Sequence, residues 1–152
     1  MTNDMVTKQL GAHPFAMGAL AGDVEVLARF AQPVDFAAGE VIFSAGEKAR
    51  RFYLIRSGIV ALQIETPAHA SPRILQSVHE GSVLGWSWLF EPYQWQFDAV
   101  CETPVRALAI DGQALMTHCD EDPELGYRLM QRIAETMADR LNAARIRILE
   151  LG

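Results

Sequence analysis

Between Pro33 and Ile110 the chain holds no helical period for long. It offers short β-rich runs instead: Val34 to Phe36, Val41 to Phe43, Arg51 to Arg56, Ile59 to Glu65, Arg73 to Val78, Phe97 to Cys101 and Val105 to Ile110. Strands this brief, packed this closely along the sequence, fit a barrel or sandwich. The punctuation between them is Ala38-Gly39-Glu40, Ala45-Gly46-Glu47, Ser57-Gly58, the Thr66 to Pro72 loop and Glu80-Gly81, each with a Gly or Pro for a tight reversal. Neighbouring strands are therefore expected to be antiparallel. One stretch breaks the rhythm: Gly85 to Trp95 holds all three tryptophans of the chain. With half its 152 residues hydrophobic, the chain can bury one core, and a single domain is expected.

Helical patterns flank the β-rich region. The first dozen residues, through Ala12, lack periodicity and are read as a loose arm, 1–12. From Pro14 to Gln32 the apolar spacing is that of short helices, broken by Gly18 and Gly22. Asp111 is read as an N-cap, and Asp120 or Asp122 before Pro123 starts a second, long helix. Along it Tyr127, Met130, Ala134, Met137, Leu141, Ala144, Ile148 and Leu151 are spaced alternately three and four, the period of a seam between helices. A homodimer through this seam is the expectation; the alternative is a helix packed wholly on its own domain. A second stripe, Leu125, Leu129 and Ile133, is placed to bury against the barrel. The domain thus spans 13–152, with its β-barrel over 33–110 and C-terminal helices over 111–151.

Charge and composition narrow the function. Thirteen Lys plus Arg against nineteen Asp plus Glu give a net charge of -6, which disfavours a polyanionic partner. Arg128, Arg132, Arg140, Arg145 and Arg147 on the long helix are interleaved with Glu135, Asp139 and Glu150, the pattern of a solvated flank. Two cysteines are too few for a disulfide framework, and no signal-peptide or bilayer-length apolar run is present, so a soluble cytoplasmic protein is expected, with no membrane partner. His79, His118, Cys101 and Cys119 lack ligand-pair spacing, so no metal and no cofactor are expected. Gly85-Trp86-Ser87-Trp88-Leu89 lacks the second glycine of a nucleophile elbow, and Glu40, Glu47 and Glu65 read as solvated loop charges. A metalloenzyme built on such a barrel needs several strand histidines, where only His79 is available. No catalytic set emerges, and an enzyme is not expected.

The runs Phe36-Ala37-Ala38-Gly39-Glu40-Val41-Ile42-Phe43, Gly46-Glu47 and Arg51-Phe52-Tyr53-Leu54-Ile55-Arg56-Ser57-Gly58 resemble the cyclic-nucleotide-binding domain family, the sensor half of bacterial regulators of the catabolite-activator type. The resemblance runs from about Phe30 to the chain end. It implies a mainly β fold with flanking helices: a double-stranded β-helix, or jelly roll, with a long C-terminal dimerisation helix. It also implies a ligand cassette, in which a Gly-Glu pair opens a short helix and an Arg-(Ser or Thr)-Ala sequence holds the cyclic phosphate. Here Gly85 and Ala99 match, but Trp86 stands at the ribose-binding Glu and Phe97-Asp98 at the Arg-Ser pair.

A buried phosphodiester needs a cation, preferably a bidentate one, and would meet Asp98 instead. What the resemblance leaves is a helix N-terminus over Gly85, Trp86, Ser87 and Trp88, with Arg73 or Arg106 as cations that could substitute from another strand. The rings of Trp86, Trp88, Trp95, Phe90, Tyr93 and Phe97 either line a pocket for a flat ligand or fill the cassette themselves. The candidate ligand-binding residues are Gly85, Trp86, Ser87, Trp88, Trp95, Phe97, Asp98 and Ala99. The regulators of this family carry a helix-turn-helix after the long helix, and no residues follow it here, so direct DNA binding is not expected. The expected function is a stand-alone regulatory or ligand-sensing module that does not bind cyclic nucleotide in the usual way, partnered by a second copy and by a small ligand or another regulatory protein. The alternatives are a ligand-independent interaction module and a modified cyclic-nucleotide binder.

Overall fold

In the computed structural model, which describes residues 3–65 and 71–151, the glycine-punctuated runs pair into two four-stranded antiparallel sheets. The strands are β1 (Ala31–Phe36), β2 (Val41–Phe43), β3 (Arg51–Ser57), β4 (Val60–Ile64), β5 (Arg73–Val78), β6 (Val83–Leu84), β7 (Asp98–Cys101) and β8 (Val105–Asp111). One sheet runs β1-β8-β3-β6 and the other β2-β7-β4-β5, a jelly roll. All seven runs read from the sequence reappear. The addition is β6, two residues between Gly81 and Gly85, too short to show an alternation. Residues 66–70 of the Thr66 to Pro72 loop lie outside the described residues.

Strand β3 carries the centre of the core. Phe52, Tyr53, Leu54 and Ile55 are buried in succession, so both faces of the strand are covered. Part of that cover comes from the chain's amino-terminal end. The stretch expected as a loose arm is α1 (Asn3–Gly11), which packs on α2 (Ala21–Arg29) and buries Val6 and Leu10. Two apolar positions four apart are too few to announce a helix; burial against a neighbour supplies what local propensity does not.

Between α1 and α2, a 3-10 turn at Pro14–Ala16 is capped by His13, whose Nδ1 accepts from Phe15 N at 3.1 Å. Because Nδ1 accepts, the ring proton sits on Nε2, which donates to the Ile55 carbonyl of β3 at 3.0 Å. The Phe15 ring meets Phe52 edge-on, with centroids 6.2 Å apart.

The chain forms two compact units, Met1–Leu115, which holds both sheets, and Met116–Gly152. Helix α3 (Gly112–Glu121) begins at Asp111, whose Oδ1 accepts from Ala114 N at 3.0 Å. Helix α4 (Pro123–Leu151) begins at Asp122, whose Oδ1 accepts from Leu125 N at 3.3 Å, with Pro123 in the first helical position. Leu125, Leu129 and Ile133 of α4 are buried. Among the described residues no helix is long and apolar enough to cross a membrane.

His13 makes stability depend on mild acid. Burial holds its pKa below the ordinary 6.5, so the unfolded chain takes up a proton that the folded chain resists. Its contribution is complete above pH 6.5 and declines as the pH falls beneath that value. Urea unfolding at pH 7.5 and 5.5 should show this loss. His13→Gln should flatten the difference while lowering stability at pH 7.5 by about 1–3 kcal/mol, the cost of unmet buried polar groups; an unchanged pH dependence would assign the acid sensitivity to other groups.

Candidate functional site

At Gly85 the chain turns out of β6 with a φ of +103°, a region that side chains rarely occupy. A Cβ there would lie 2.7 Å from the Trp95 ring, so the glycine also makes room for that ring. From this point to Phe97 the segment is a series of turns, and the short helix expected at Gly85 to Trp88 is not formed. The Gly85 carbonyl, which would accept from residue 89 in a helix, instead takes the Trp88 indole N–H at 3.0 Å. Leu89 N turns to Trp86 O at 3.0 Å. A side-chain donor has taken the place of the helical hydrogen bond, and with the helix goes the anion-binding end that the sequence suggested.

Two ring stacks hold the segment down. Trp95 lies parallel to Phe43 of β2 with centroids 3.7 Å apart, and Trp88 lies against Phe52 of β3 at 4.7 Å. Trp88 also covers Gly112, where a Cβ would come within 2.4 Å of the ring. Trp88 and Trp95 are accordingly 4% and 5% exposed. Trp86, Ser87 and Phe97 are half-buried, and Phe97 tilts toward Phe43 at 6.2 Å; Phe90 and Tyr93 are exposed. Main-chain bonds close the arrangement: Gly46 N donates to Trp95 O, Trp95 N to Glu47 O and Ala49 N to Tyr93 O, at 2.8, 2.9 and 2.7 Å.

One carboxylate of the cassette, Asp98, bonds to the turn between β2 and β3. Asp98 Oδ1 accepts from Ala45 N at 2.7 Å, and Glu47 Oε1 accepts from Ser44 N at 2.8 Å. Glu40 Oε1 likewise accepts from Ala37 N at 3.4 Å. Two of the three carboxylates read as solvated loop charges, Glu40 and Glu47, therefore close the turns they sit in. Ala99 is buried in β7 opposite Phe43 and Leu62.

From Gly85 to Ala99 the sequence holds two carboxylates, Glu91 and Asp98, and no Lys, Arg or His. Of the cations that could substitute, Arg106 lies on β8 in the other sheet, opposite Asp35 and Ser57. Arg73 opens the edge strand β5, separated from β7 by β4.

Sequence reasoning missed Phe43, Phe52, Gly112 and Ala45 as partners of this segment. Nothing local could have marked them, since each contact joins positions far apart in the chain. Cys101 is buried, which pushes its thiol up to about 11 with help from the Glu40 carboxylate; Cys119 is also raised, by burial and then by Asp120 and Asp122. Neither is a poised thiolate.

On α4 the residues of the seven-residue repeat form a separate candidate surface. Tyr127, Ala134, Leu141, Ala144 and Ile148 are exposed, Leu141 at 53% and Ile148 at 68%, while Met130 and Met137 are half-buried. The Leu151 side chain lies outside the described residues.

Acrylamide quenching of tryptophan emission should resolve two classes, a shielded majority from Trp88 and Trp95 and an accessible part from Trp86. In Trp86→Phe the remaining emission should resist quenching. Three equally accessible tryptophans would mean that the ring stacks do not persist in solution.

The sequence profile of the cyclic nucleotide-binding domain matches residues 33–122, more than half of the chain. A CRP-like cAMP-activated global transcriptional regulator from Mycobacterium tuberculosis is 29% identical over 127 residues, 84% of this chain and 53% of that protein. The chain thus spans about half the length of the curated relatives it matches. Among solved structures, a putative cyclic nucleotide-binding protein from Geobacter metallireducens superposes with a TM-score of 0.75 at 26% identity, covering 93% of this chain and 98% of that one. A cyclic nucleotide-binding domain from Methylobacillus flagellatus shares the fold, with a TM-score of 0.80 at 16% identity over 99% of this chain and 84% of that one. By its sequence profile and its two-sheet jelly roll, the chain belongs to the cyclic nucleotide-binding domain family.

Proposed function

We propose that this chain is a regulatory module of the cyclic-nucleotide-binding type that works without a cyclic nucleotide held in the family's usual manner. Its cassette is structural core, and its output is α4 acting on another protein chain, in the first place a second copy of itself. The observation that carries this reading is the Asp98 carboxylate. It stands in the phosphate-holding sequence, it is bonded to Ala45 N, and no basic residue lies between Gly85 and Ala99. A phosphodiester brought there would meet a carboxylate, and the segment from Gly85 to Ala99 supplies no cation of its own to offset it.

The buried stacks of Trp88 and Trp95 support the same reading, because their ring faces are taken by Phe52 and Phe43 and are not free for a flat ligand. Dimerisation is supported by the exposed apolar repeat on α4, which leaves Leu141 and Ile148 facing solvent in a single copy. A regulatory role is supported by the relative from Mycobacterium tuberculosis, itself described as a transcriptional regulator.

Isothermal calorimetry with cyclic AMP and cyclic GMP should give no dissociation constant at or below about 1 μM, some 8 kcal/mol of binding. A tighter constant would overturn the reading of the cassette. Sedimentation should show a dimer at micromolar protein. Leu141→Glu should run as a monomer, because an unpaired charge in the seam costs on the order of 3–5 kcal/mol. A wild type already monomeric would remove α4 as the output.

A further inference from the structure

Helix α4 offers its seam most fully in the carboxyl-terminal half, where every residue from Leu141 to Glu150 is exposed, whereas Ile133, beside the seam farther back, is buried. In a seam of this period the residues just before one apolar position and just after the next stand at its edges, where they meet the edges of the partner helix. Arg140 and Arg147 precede the seam residues Leu141 and Ile148, and Arg145 follows Ala144. The fourth edge residue of this half is Ala138, after Met137. The edges thus hold three arginines and no acid.

Glu135, Asp139 and Glu150, interleaved with the arginines in the sequence, fall at the remaining positions of the repeat, on the side away from the seam. Within a turn of Arg147 stands Glu150; the residues three and four away from Arg145 are Leu141, Asn142, Ile148 and Leu149, none of them acidic. A second copy meets these edges with the same charge. In a parallel pair Arg140 faces Arg145 of the second copy, and by symmetry the contact occurs on both sides of the seam. An antiparallel pair matched along its whole length brings Arg140 to Arg140 instead. Like charges at such positions weaken pairing, and opposite charges strengthen it.

We propose that the carboxyl-terminal half of α4 takes as its preferred partner an amphipathic helix of another protein, one with an apolar seam and with Glu or Asp at its edges. The apolar residues hold a second copy as well, so that copy is the resting partner, and the acidic-edged helix displaces it. Charge complementarity selects this occupant: the chain as a whole carries a net charge of -6, yet the edges of its exposed seam are basic only. The inference rests on the reading of α4 as the output and names the chemistry of what it acts on.

The test uses the wild-type full chain and two labelled peptides of the α4 sequence from Pro123 to Leu151, one native and one carrying Arg140→Glu, Arg145→Glu and Arg147→Glu, with binding followed by fluorescence anisotropy. In about 50 mM sodium chloride the acidic peptide should bind about tenfold more tightly than the native one, and the ratio should fall toward one in about 1 M, where charges are screened beyond about 3 Å. Self-association of the full chain, measured by sedimentation, should tighten over the same salt range. Arg145→Gln should tighten it at low salt and reduce its response to salt. Equal binding of the two peptides, a ratio indifferent to salt, or self-association that weakens as salt rises would each overturn the proposal. A wild type that dimerises while the peptides bind alike would do so without touching the function proposed above; a wild type that stays monomeric and binds neither peptide would remove both.

Discussion

The stacking of Trp95 on Phe43 and of Trp88 on Phe52 joins one irregular segment to both sheets at once, since Phe43 belongs to β2 and Phe52 to β3. Each stack contributes about 0.5–1.5 kcal/mol beyond the area it buries. Its larger effect is positional. With both rings fixed, the chain between them has little freedom, and Gly85 and Gly112 are required because the rings lie where their side chains would be. The three main-chain bonds to the turn between β2 and β3 then follow from geometry, as does the orientation of Asp98 toward Ala45.

A family fold can keep its frame while the chemistry of one segment is exchanged. The frame here is the order of the strands and the glycines of the early hairpins. The exchanged part is the cassette, where rings and a carboxylate occupy positions that, by the resemblance, would hold sugar and phosphate. Neither change disturbs the sheets, because an aromatic ring can fill apolar space and a carboxylate can bond to a backbone amide as well as to a ligand. Function in such a fold is decided by a few side chains.

Most of the frame was legible in the sequence. Turns bearing Gly or Pro separated most of the seven strand runs, Asp111 marked one helix start, and of the two candidates Asp120 and Asp122 for the other it is Asp122 whose side chain caps the helix. Periodicity along α4 separated a buried stripe from an exposed one. What escaped was short or distant. Strand β6 has two residues, and α1 shows only Val6 and Leu10 as its inward face. In the cassette, the departures at Trp86 and Phe97-Asp98 could be read directly, but the loss of the helix could not. It depends on an indole N–H reaching the Gly85 carbonyl, and no spacing rule encodes that. The partner of Asp98 lies 53 positions away and could be found only in three dimensions.

The pairing of β1 with β8 has a consequence for synthesis. β1 sits at the end of its sheet, with β8 its neighbour there, and Ala31 to Phe36 pair with Ile110 to Val105 in reverse order. During translation the first strand therefore leaves the ribosome long before its partner exists. At roughly 5–20 residues per second, the wait is on the order of several seconds, during which Val34 and Phe36 have no sheet to enter. The second sheet closes late in the same way, since β7 lies between β2 and β4. The β4–β5 and β3–β6 pairs can form early, but β1 and β2 must stay unpaired until almost the whole of the first compact unit has emerged, and closure of both sheets should be governed by the arrival of the last two strands.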